Sequence, residues 1–376
     1  MMLKTQDMIS VKKIGLRFGL LVVGLFMLMS VNAQELVFSQ YFNNPVNYNP
    51  ATIGLNTGMK LRFQYRDQWV NLPGNFNTLS FNMDIAERNI PGSGGFAMVI
   101  NRNQQGQGFL ENTMFGLGTS VRIRLQDNII TQLGILGTFV QKNINWDNLI
   151  FSDELDPRYG DIYETGFVQP NADIIRYPDL TVGNVIRFFM DSYTADKVVG
   201  TFGVALHHVF KPDESFIGLK SSIPHKYVAH GDILFEKYLT SNYRTRNAVE
   251  KKFKVNVGFI YENMQDISSF SAGVNMMRSN LYLGTWYRGE SYGDFNTDAL
   301  IFMVGVNTTI ADNARIKIMY SYDWALNDLI SISGPTHEIT LSFQFDDVQL
   351  FGKGDKYNIT PSARKSALGP LECSPF

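Results

Sequence analysis

Only one cysteine, Cys373, occurs in 376 residues, so no intramolecular disulfide can cross-link the fold. After residue 33 no apolar run approaches the roughly 18 residues that a spanning helix needs, which excludes helical membrane spans. Charge is sparse and balanced: Asp, Glu, Lys and Arg make up 18% of the chain and leave −2. With no basic field there is no electrostatic footprint for nucleic acid. The residue patterns of catalysis are missing too. There is no phosphate-binding glycine loop, no nucleophile elbow and no His pair at metal-ligand spacing, so no enzyme activity, cofactor or metal is expected. His207 and His208 are strand neighbours that point to opposite faces, and His337-Glu338 reads as structural hydrogen bonding.

Other features are present in strength. Lys4, Lys12, Lys13 and Arg17 precede the uncharged apolar run Phe18–Met29, and Val31-Asn32-Ala33 offers small residues at signal-peptidase spacing. Residues 1–33 therefore read as a signal peptide. Its removal changes the net charge to (33 − 4) − (35 − 1) = −5. Aromatic residues reach 13%, while mean hydropathy is close to zero at −0.09. Many aromatics, neutral hydropathy and export without a spanning helix are the combination a transmembrane β-barrel shows.

The alternation of side chains carries the fold reading. In Arg315–Phe345, Ile316, Ile318, Tyr320 and Tyr322 alternate with Arg315, Lys317, Met319, Ser321 and Asp323. After a turn-rich gap, Ile339, Leu341, Phe343 and Phe345 alternate with Glu338, Thr340, Ser342 and Gln344. Two period-2 strands around one loop make a hairpin. Similar runs occur at 59–66, 79–85, 95–103, 113–125, 129–142, 180–191, 198–210, 227–238, 253–264, 267–278, 280–288 and 298–309. With 315–324 and 336–345 they predict an all-β, antiparallel transmembrane barrel of about fourteen strands over residues 58–345. If both chain ends are periplasmic, even-numbered connections are the short ones. Gln126-Asp127-Asn128, Arg278-Ser279-Asn280 and Ala311-Asp312-Asn313 fit that expectation, and the connections at 143–179, 211–226, 289–297 and 325–335 form the longer outward set; the long, basic connection near 239–252 and the short one near 264–266 are exceptions. The final strand is expected to close the barrel on Met59–Arg66.

Lipid requires an apolar exterior, so the polar faces line the lumen. Arg62, Arg66, Arg122, Arg124, Lys254, Arg315, Lys317, Asp323 and Glu338 are placed inside, and all but Lys254 form the candidate lumenal network. Tyr65, Trp69, Trp286, Tyr287, Tyr322 and Trp324 suit an aromatic girdle at the outer membrane lipid interface. Residues 34–57, with Asn44-Pro45 and Asn49-Pro50, read as turn and extended chain, lumenal or periplasmic. Residues 346–376 read as a flexible periplasmic tail. Between Asn143 and Asp179, eight carboxylates, among them Asp147, Asp153, Glu154, Asp156, Asp161 and Glu164, face only Arg158 and Arg176. A solvated acidic loop is the plain reading; calcium or a basic partner surface is the functional one.

Ser39–Gly54 (SQYFNNPVNYNPATIG), Tyr65–Trp69 (YRDQW), Tyr320–Trp324 (YSYDW), Gly334–Phe345 and the loop segment Leu149–Gly160 resemble the PorP/SprF family, in family order over almost the whole mature chain. Pro335-Thr336 stands where that family usually has Gly-Ser, and Thr52-Ile53 where Tyr-Ala is common. The resemblance implies an outer-membrane protein of type IX secretion and gliding motility, not an enzyme. It also implies partners: a surface protein or adhesin with a C-terminal sorting domain, and periplasmic or outer-membrane lipoproteins of the machinery. A porin or hydrophobic-ligand transporter is the competing reading, because about fourteen strands can leave an open lumen.

Overall fold

The computed structural model describes residues 37–346 and 348, apart from 73, 75, 88–91, 107–109, 171–172, 191–196, 219, 240–250, 293, 312 and 327–329. The expected signal peptide, most of the expected tail and Cys373 lie outside the described residues, as does most of the connection after residue 239.

Fourteen antiparallel strands form a closed barrel. They are β1 (Met59–Gln68), β2 (Phe76–Ala86), β3 (Ser93–Gln105), β4 (Leu110–Gln126), β5 (Ile129–Ile144), β6 (Ile174–Met190) and β7 (Lys197–His207), followed by β8 (Lys226–Leu239), β9 (Lys251–Met264), β10 (Ile267–Arg278), β11 (Leu281–Tyr292), β12 (Asp294–Ala311), β13 (Ala314–Ala325) and β14 (Thr336–Phe345). Each strand pairs with its neighbours in sequence. The seam joins β1 to β14, from Met59↔Phe345 to Asp67↔His337, as the alternation of the last hairpin predicts.

The period-2 pattern sorts the two faces. On β1, Lys60, Arg62, Gln64 and Arg66 are buried, while Phe63 and Tyr65 are 42% and 45% exposed. The same holds around the barrel: Leu79, Phe115, Leu133, Phe202, Val257, Phe302 and Ile339 all face outward and exposed. A continuous apolar exterior around a polar lumen is stable only against lipid. Among the described residues no helix is long and apolar enough to cross a membrane; the strands do so instead.

Several boundaries differ from the sequence reading. β6 begins at Ile174, so the long connection is 145–173 and Asp179 lies inside the barrel. Pro178, paired opposite Phe139, is the reason: a proline reads as a strand breaker, yet this strand accommodates it. The expected outward loop at 289–297 is instead strand, with β11 running to Tyr292 and β12 starting at Asp294. A register shift after Arg288 marks where that extension begins. The long connections at 145–173 and 208–225 both lie at the Gln68 end of the barrel.

Residues 37–57 depart most. They form short helical turns, Tyr41–Asn43, Pro45–Tyr48 and Pro50–Thr52, rather than extended chain. Both prolines occupy first-turn positions, where the missing N–H costs nothing and the fixed φ suits the turn. The Asn49 side chain caps the last turn by accepting from the Ala51 N–H. This segment lies inside the barrel, against its polar faces.

Candidate functional site: a lumenal plug and an acidic loop

Residues 37–57 form a plug, and several of its polar side chains and backbone groups meet the wall. Near the Gln68 end, the Glu338 carboxylate accepts the backbone N–H of Ser39 at 2.8 Å and of Gln40 at 3.0 Å. Gln40 donates its amide to the Ser321 hydroxyl and the Glu338 carbonyl, at 3.0 and 3.1 Å. Lower down, Asn44 donates to Gln64 and Ser80, both at 3.0 Å, and accepts from Asn82 at 2.7 Å. Asn49 donates to the carbonyls of Asn184 and Val204, at 3.1 and 3.2 Å. The Ile53 carbonyl accepts from the Ser120 hydroxyl at 2.7 Å and from Gln132. Asparagine supplies two donors and an acceptor on a short stem, so an Asn-rich segment can satisfy several strands at once.

Apolar contacts complete the seating. Val46 and Ile53 pack with Ala97, Val99 and Leu136, and Ala51 and Leu55 with Ile130 and Val185. Tyr41 meets Trp286 edge-on at 5.3 Å, and Phe42 stacks on it at 6.1 Å. The Pro50-Ala51 backbone crosses directly over Gly134: a Cβ there would lie closer than 3.0 Å to three backbone atoms of the plug. Glycine at 134 is therefore required for the plug to approach the wall.

An ion-paired cluster locks the upper end. Arg66 lies 3.3 Å from Asp323 and 3.2 Å from Glu338, and Arg288 reaches Asp323 at 3.2 Å and Asp298 at 2.6 Å. The Ser39 hydroxyl joins Arg66 to Asp323. Of the sequence-predicted network, the structure brings together Arg66, Asp323 and Glu338. Arg62 pairs with Asp84, Arg315 with Asp346, and Lys317 donates to the Asn43 side chain of the plug. Arg122 is only half-buried and stands apart from the cluster, and Arg124 keeps inward parity but sits exposed at the Met59 rim.

Sequence reasoning missed Arg288 and Asp298, and it put Trp286 in the lipid girdle. Trp286 is 2% exposed and faces inward. The signal was available: parity on β11 puts Tyr282, Trp286 and Arg288 on one face, and the arginine identifies that face as lumenal. Tyr65 and Trp324 do face outward, at 45% and 49% exposure. His207 bonds the Tyr48 carbonyl of the plug, and His208 pairs with Asp179 at 2.7 Å.

The connection 145–173 carries seven carboxylates against Arg158 alone, a net of 1 − 7 = −6. Many serve as acceptors within the loop. Asp153 takes the Gly166 N–H at 2.8 Å, Asp156 the N–H groups of Arg158 and Tyr159 at 2.8 and 2.9 Å, Glu154 that of Phe151, and Asp147 the Gln169 amide. Glu164 is exposed, and Asp161 lies in a two-residue ribbon pairing with Leu155. Among the described residues no three His, Cys, Asp or Glu side chains converge as a metal site. Beneath the acidic groups, Trp146, Phe151 and Phe167 form an aromatic cluster that contacts Phe216 of the neighbouring loop.

The Gly166 N–H holds the Asp153 carboxyl below the ordinary aspartate value, and the Arg158 and Tyr159 N–H groups do the same for Asp156. A carboxyl depressed in the folded loop stabilises it fully above the ordinary value of about 3.9 and loses that contribution as pH falls through the lower one. Protection of the Gly166, Arg158 and Tyr159 amides from hydrogen exchange should therefore persist at pH 5 and fall away below about pH 3.9. Asp153→Ala should remove Gly166 protection at pH 5 while leaving that of Arg158 and Tyr159.

The chain is similar to several solved structures, a transporter and a channel among them, at low sequence identity. A toluene transporter from Ralstonia pickettii, TbuX, shares 11% identity, with 80% of this chain and 92% of that chain covered at a TM-score of 0.41. A FadL homologue from Pseudomonas aeruginosa shares 10%, covering 79% and 92% at 0.36. The monoaromatic hydrocarbon channel CymD shares 8%, covering 85% and 95% at 0.40. No curated protein matches this chain. The model of the family described as "Type IX secretion system membrane protein PorP/SprF" matches residues 30–343, which takes in the plug and thirteen strands entire. With its lipid-facing exterior and closed sheet, this outer-membrane barrel belongs to the PorP/SprF family of type IX secretion proteins.

Proposed function

We propose that this protein serves type IX secretion and gliding as a plugged barrel that helps export or anchor an adhesin-like surface protein. The observation that carries this reading is the plug: residues 37–57 occupy the lumen and bond to strands all around it. A lumen filled by a hydrogen-bonded segment favours a docking role over a solute pathway. The Gln68 end, which carries the acidic loop, is the external face in this reading. There Asp147, Asp153, Glu154, Asp156, Asp161 and Glu164, with the exposed Tyr159 and Val168, offer an acidic and partly apolar surface to a basic partner. Asp346 lies at the opposite end, the end that periplasmic lipoproteins of the machinery would meet in this reading.

The test is affinity purification from native outer membranes with identification of the bound protein. A surface protein with a C-terminal sorting domain should co-purify with the unaltered chain. Its recovery should fall at least about tenfold when residues 150–168 are replaced by a short Gly-Ser linker, the effect of losing roughly 1.4 kcal/mol or more. Undiminished recovery from a folded loop-replaced barrel would move the contact elsewhere. Recovery of no secreted protein from the unaltered chain would remove the reading.

A further inference from the structure

On the outer wall, four strands carry a polar row directly above the apolar band. The register sets Arg102 on β3 beside Thr113 on β4, Thr113 beside Gln141 on β5, and Gln141 beside Arg176 on β6. All four share the outward parity of the exposed Phe115 and Phe139. One step nearer the membrane centre the row is Ile100, Phe115, Phe139 and Pro178, apolar on every strand. The depth of the polar row follows from strand length. On β5 the outward residues of the band run from Ile129 to Phe139, ten residues further on and about 33 Å of strand, which a tilt of about 40° turns into about 25 Å of height. That equals the lipid-facing band of an outer-membrane barrel, so Gln141 stands where the headgroup layer begins. β4 from Leu125 to Phe115 and β6 from Phe188 to Pro178 repeat the same span before Thr113 and Arg176.

Both arginines are held in place and accessible. Arg176 is exposed, and its Nε donates to the neutral amide oxygen of Gln141 at 2.7 Å, which orients the guanidinium without neutralising it. Arg102 pairs with Glu111 at 2.9 Å, yet its side chain stays 56% exposed. They stand three strand spacings apart, about 14 Å, with a hydroxyl and an amide between them. Elsewhere the outward wall towards the same end carries Tyr65, Tyr227, Tyr261 and Tyr320, which are uncharged girdle residues. A soluble anion arriving from outside would meet the acidic connection 145–173, which joins β5 to β6 above the row. A lipid instead reaches the row sideways within its leaflet, with its acyl chains against the apolar row beneath. Guanidinium forks take phosphate oxygens in bidentate, charge-assisted pairs.

We propose that Arg102, Thr113, Gln141 and Arg176 form a headgroup site for a phosphorylated glycolipid of the outer leaflet, one that carries two phosphates on a sugar headgroup. One phosphate goes to each arginine, and Thr113 and Gln141 hydrogen-bond the sugar hydroxyls between them. The choice of leaflet rests on the proposed orientation, in which the Gln68 end is external.

Native mass spectrometry of the full chain, purified folded in detergent, tests the site with diphosphoryl lipid A as the probe. Lipid adducts should form at concentrations at least about tenfold lower than with dephosphorylated lipid A. Arg102→Gln and Arg176→Gln should each weaken binding about tenfold, the effect of losing one charge-assisted contact. Arg278→Gln, at an exposed outward position on the opposite rim, should leave it unchanged. Equal binding of the two lipids, or equal binding by the folded Arg102→Gln, Arg176→Gln and unaltered proteins, would overturn the proposal. The leaflet has its own readout. Ser221→Cys, exposed in the connection 208–225, in a Cys373→Ser background, should react with a membrane-impermeant maleimide on intact cells. Labelling only after lysis would overturn the outer-leaflet assignment. Failure to recover a secreted partner would change none of these results, so the lipid site and the docking role stand or fall separately.

Discussion

Glu338→Leu is expected to be among the most destabilising single substitutions in this barrel. The Glu338 carboxylate accepts two backbone N–H groups of the plug, lies 3.2 Å from Arg66 and also takes the Gln64 amide. Leucine fills the volume but leaves an arginine short of charge and two buried backbone donors unsatisfied. Removing one partner of a buried ion pair typically costs about 3–5 kcal/mol, and each orphaned donor adds to it. Asp323→Leu removes a carboxylate shared by Arg66 and Arg288 and should rank close behind. Ser342→Ala, in the same strand but outside the ion cluster, should cost about 1 kcal/mol or less. Thermal loss of the heat-modifiable folded band ranks the three. Equal shifts for all of them would show that the cluster carries no special share of the stability.

The second large effect concerns the lumen rather than the fold. Gly134→Val places a branched side chain where the Pro50-Ala51 backbone now runs, and backbone atoms cannot yield as a flexible side chain can. Either the plug leaves the wall or β5 distorts. The plug is the cheaper element to move, because β5 is held by full ladders to β4 and β6. Folded Gly134→Val barrels should therefore show ion-conducting steps in planar bilayers that the unaltered protein lacks. Leu133→Val, on the neighbouring outward-facing position, should leave conductance unchanged. A folded but silent Gly134→Val barrel would mean that the plug accommodates the methyl groups without opening a path.

Much of the wall was legible from alternation alone. Period-2 patterning located the strands, their lumenal faces and the β1–β14 seam, because a barrel in lipid demands apolar residues on one side of every strand. Where polarity and membrane depth part company the reading failed. Residues 289–297 are polar and looked like a loop, yet ladder hydrogen bonds continue beyond the apolar band into β11 and β12. Pro178 hid the start of β6 in the same way. The plug was the hardest part, since helical turns of three or four residues are too short to show any periodicity. Its asparagines looked like turn residues. Their partners, Gln64, Ser80, Asn82 and Asn184, become visible only once the wall is closed around them. Trp286 was misplaced because an aromatic near a strand end suits a girdle, although its inward neighbour Arg288 marked the face correctly.

The plug also gives the Ser39–Gly54 motif a physical meaning. Ser39, Gln40, Asn43, Asn44 and Asn49 each bond to the barrel wall, to another plug residue or to both, and the two prolines set the turns that aim them. The motif is a seating device for the lumen, and its polarity belongs to the inside of the barrel.

The central claim, that this barrel serves secretion as a closed partner and not as a solute channel, is tested most directly by conductance. Unaltered protein, purified folded and inserted into planar bilayers, is expected to remain electrically silent through the range of holding potentials that bilayers withstand. Steady ohmic steps from that preparation would contradict the account.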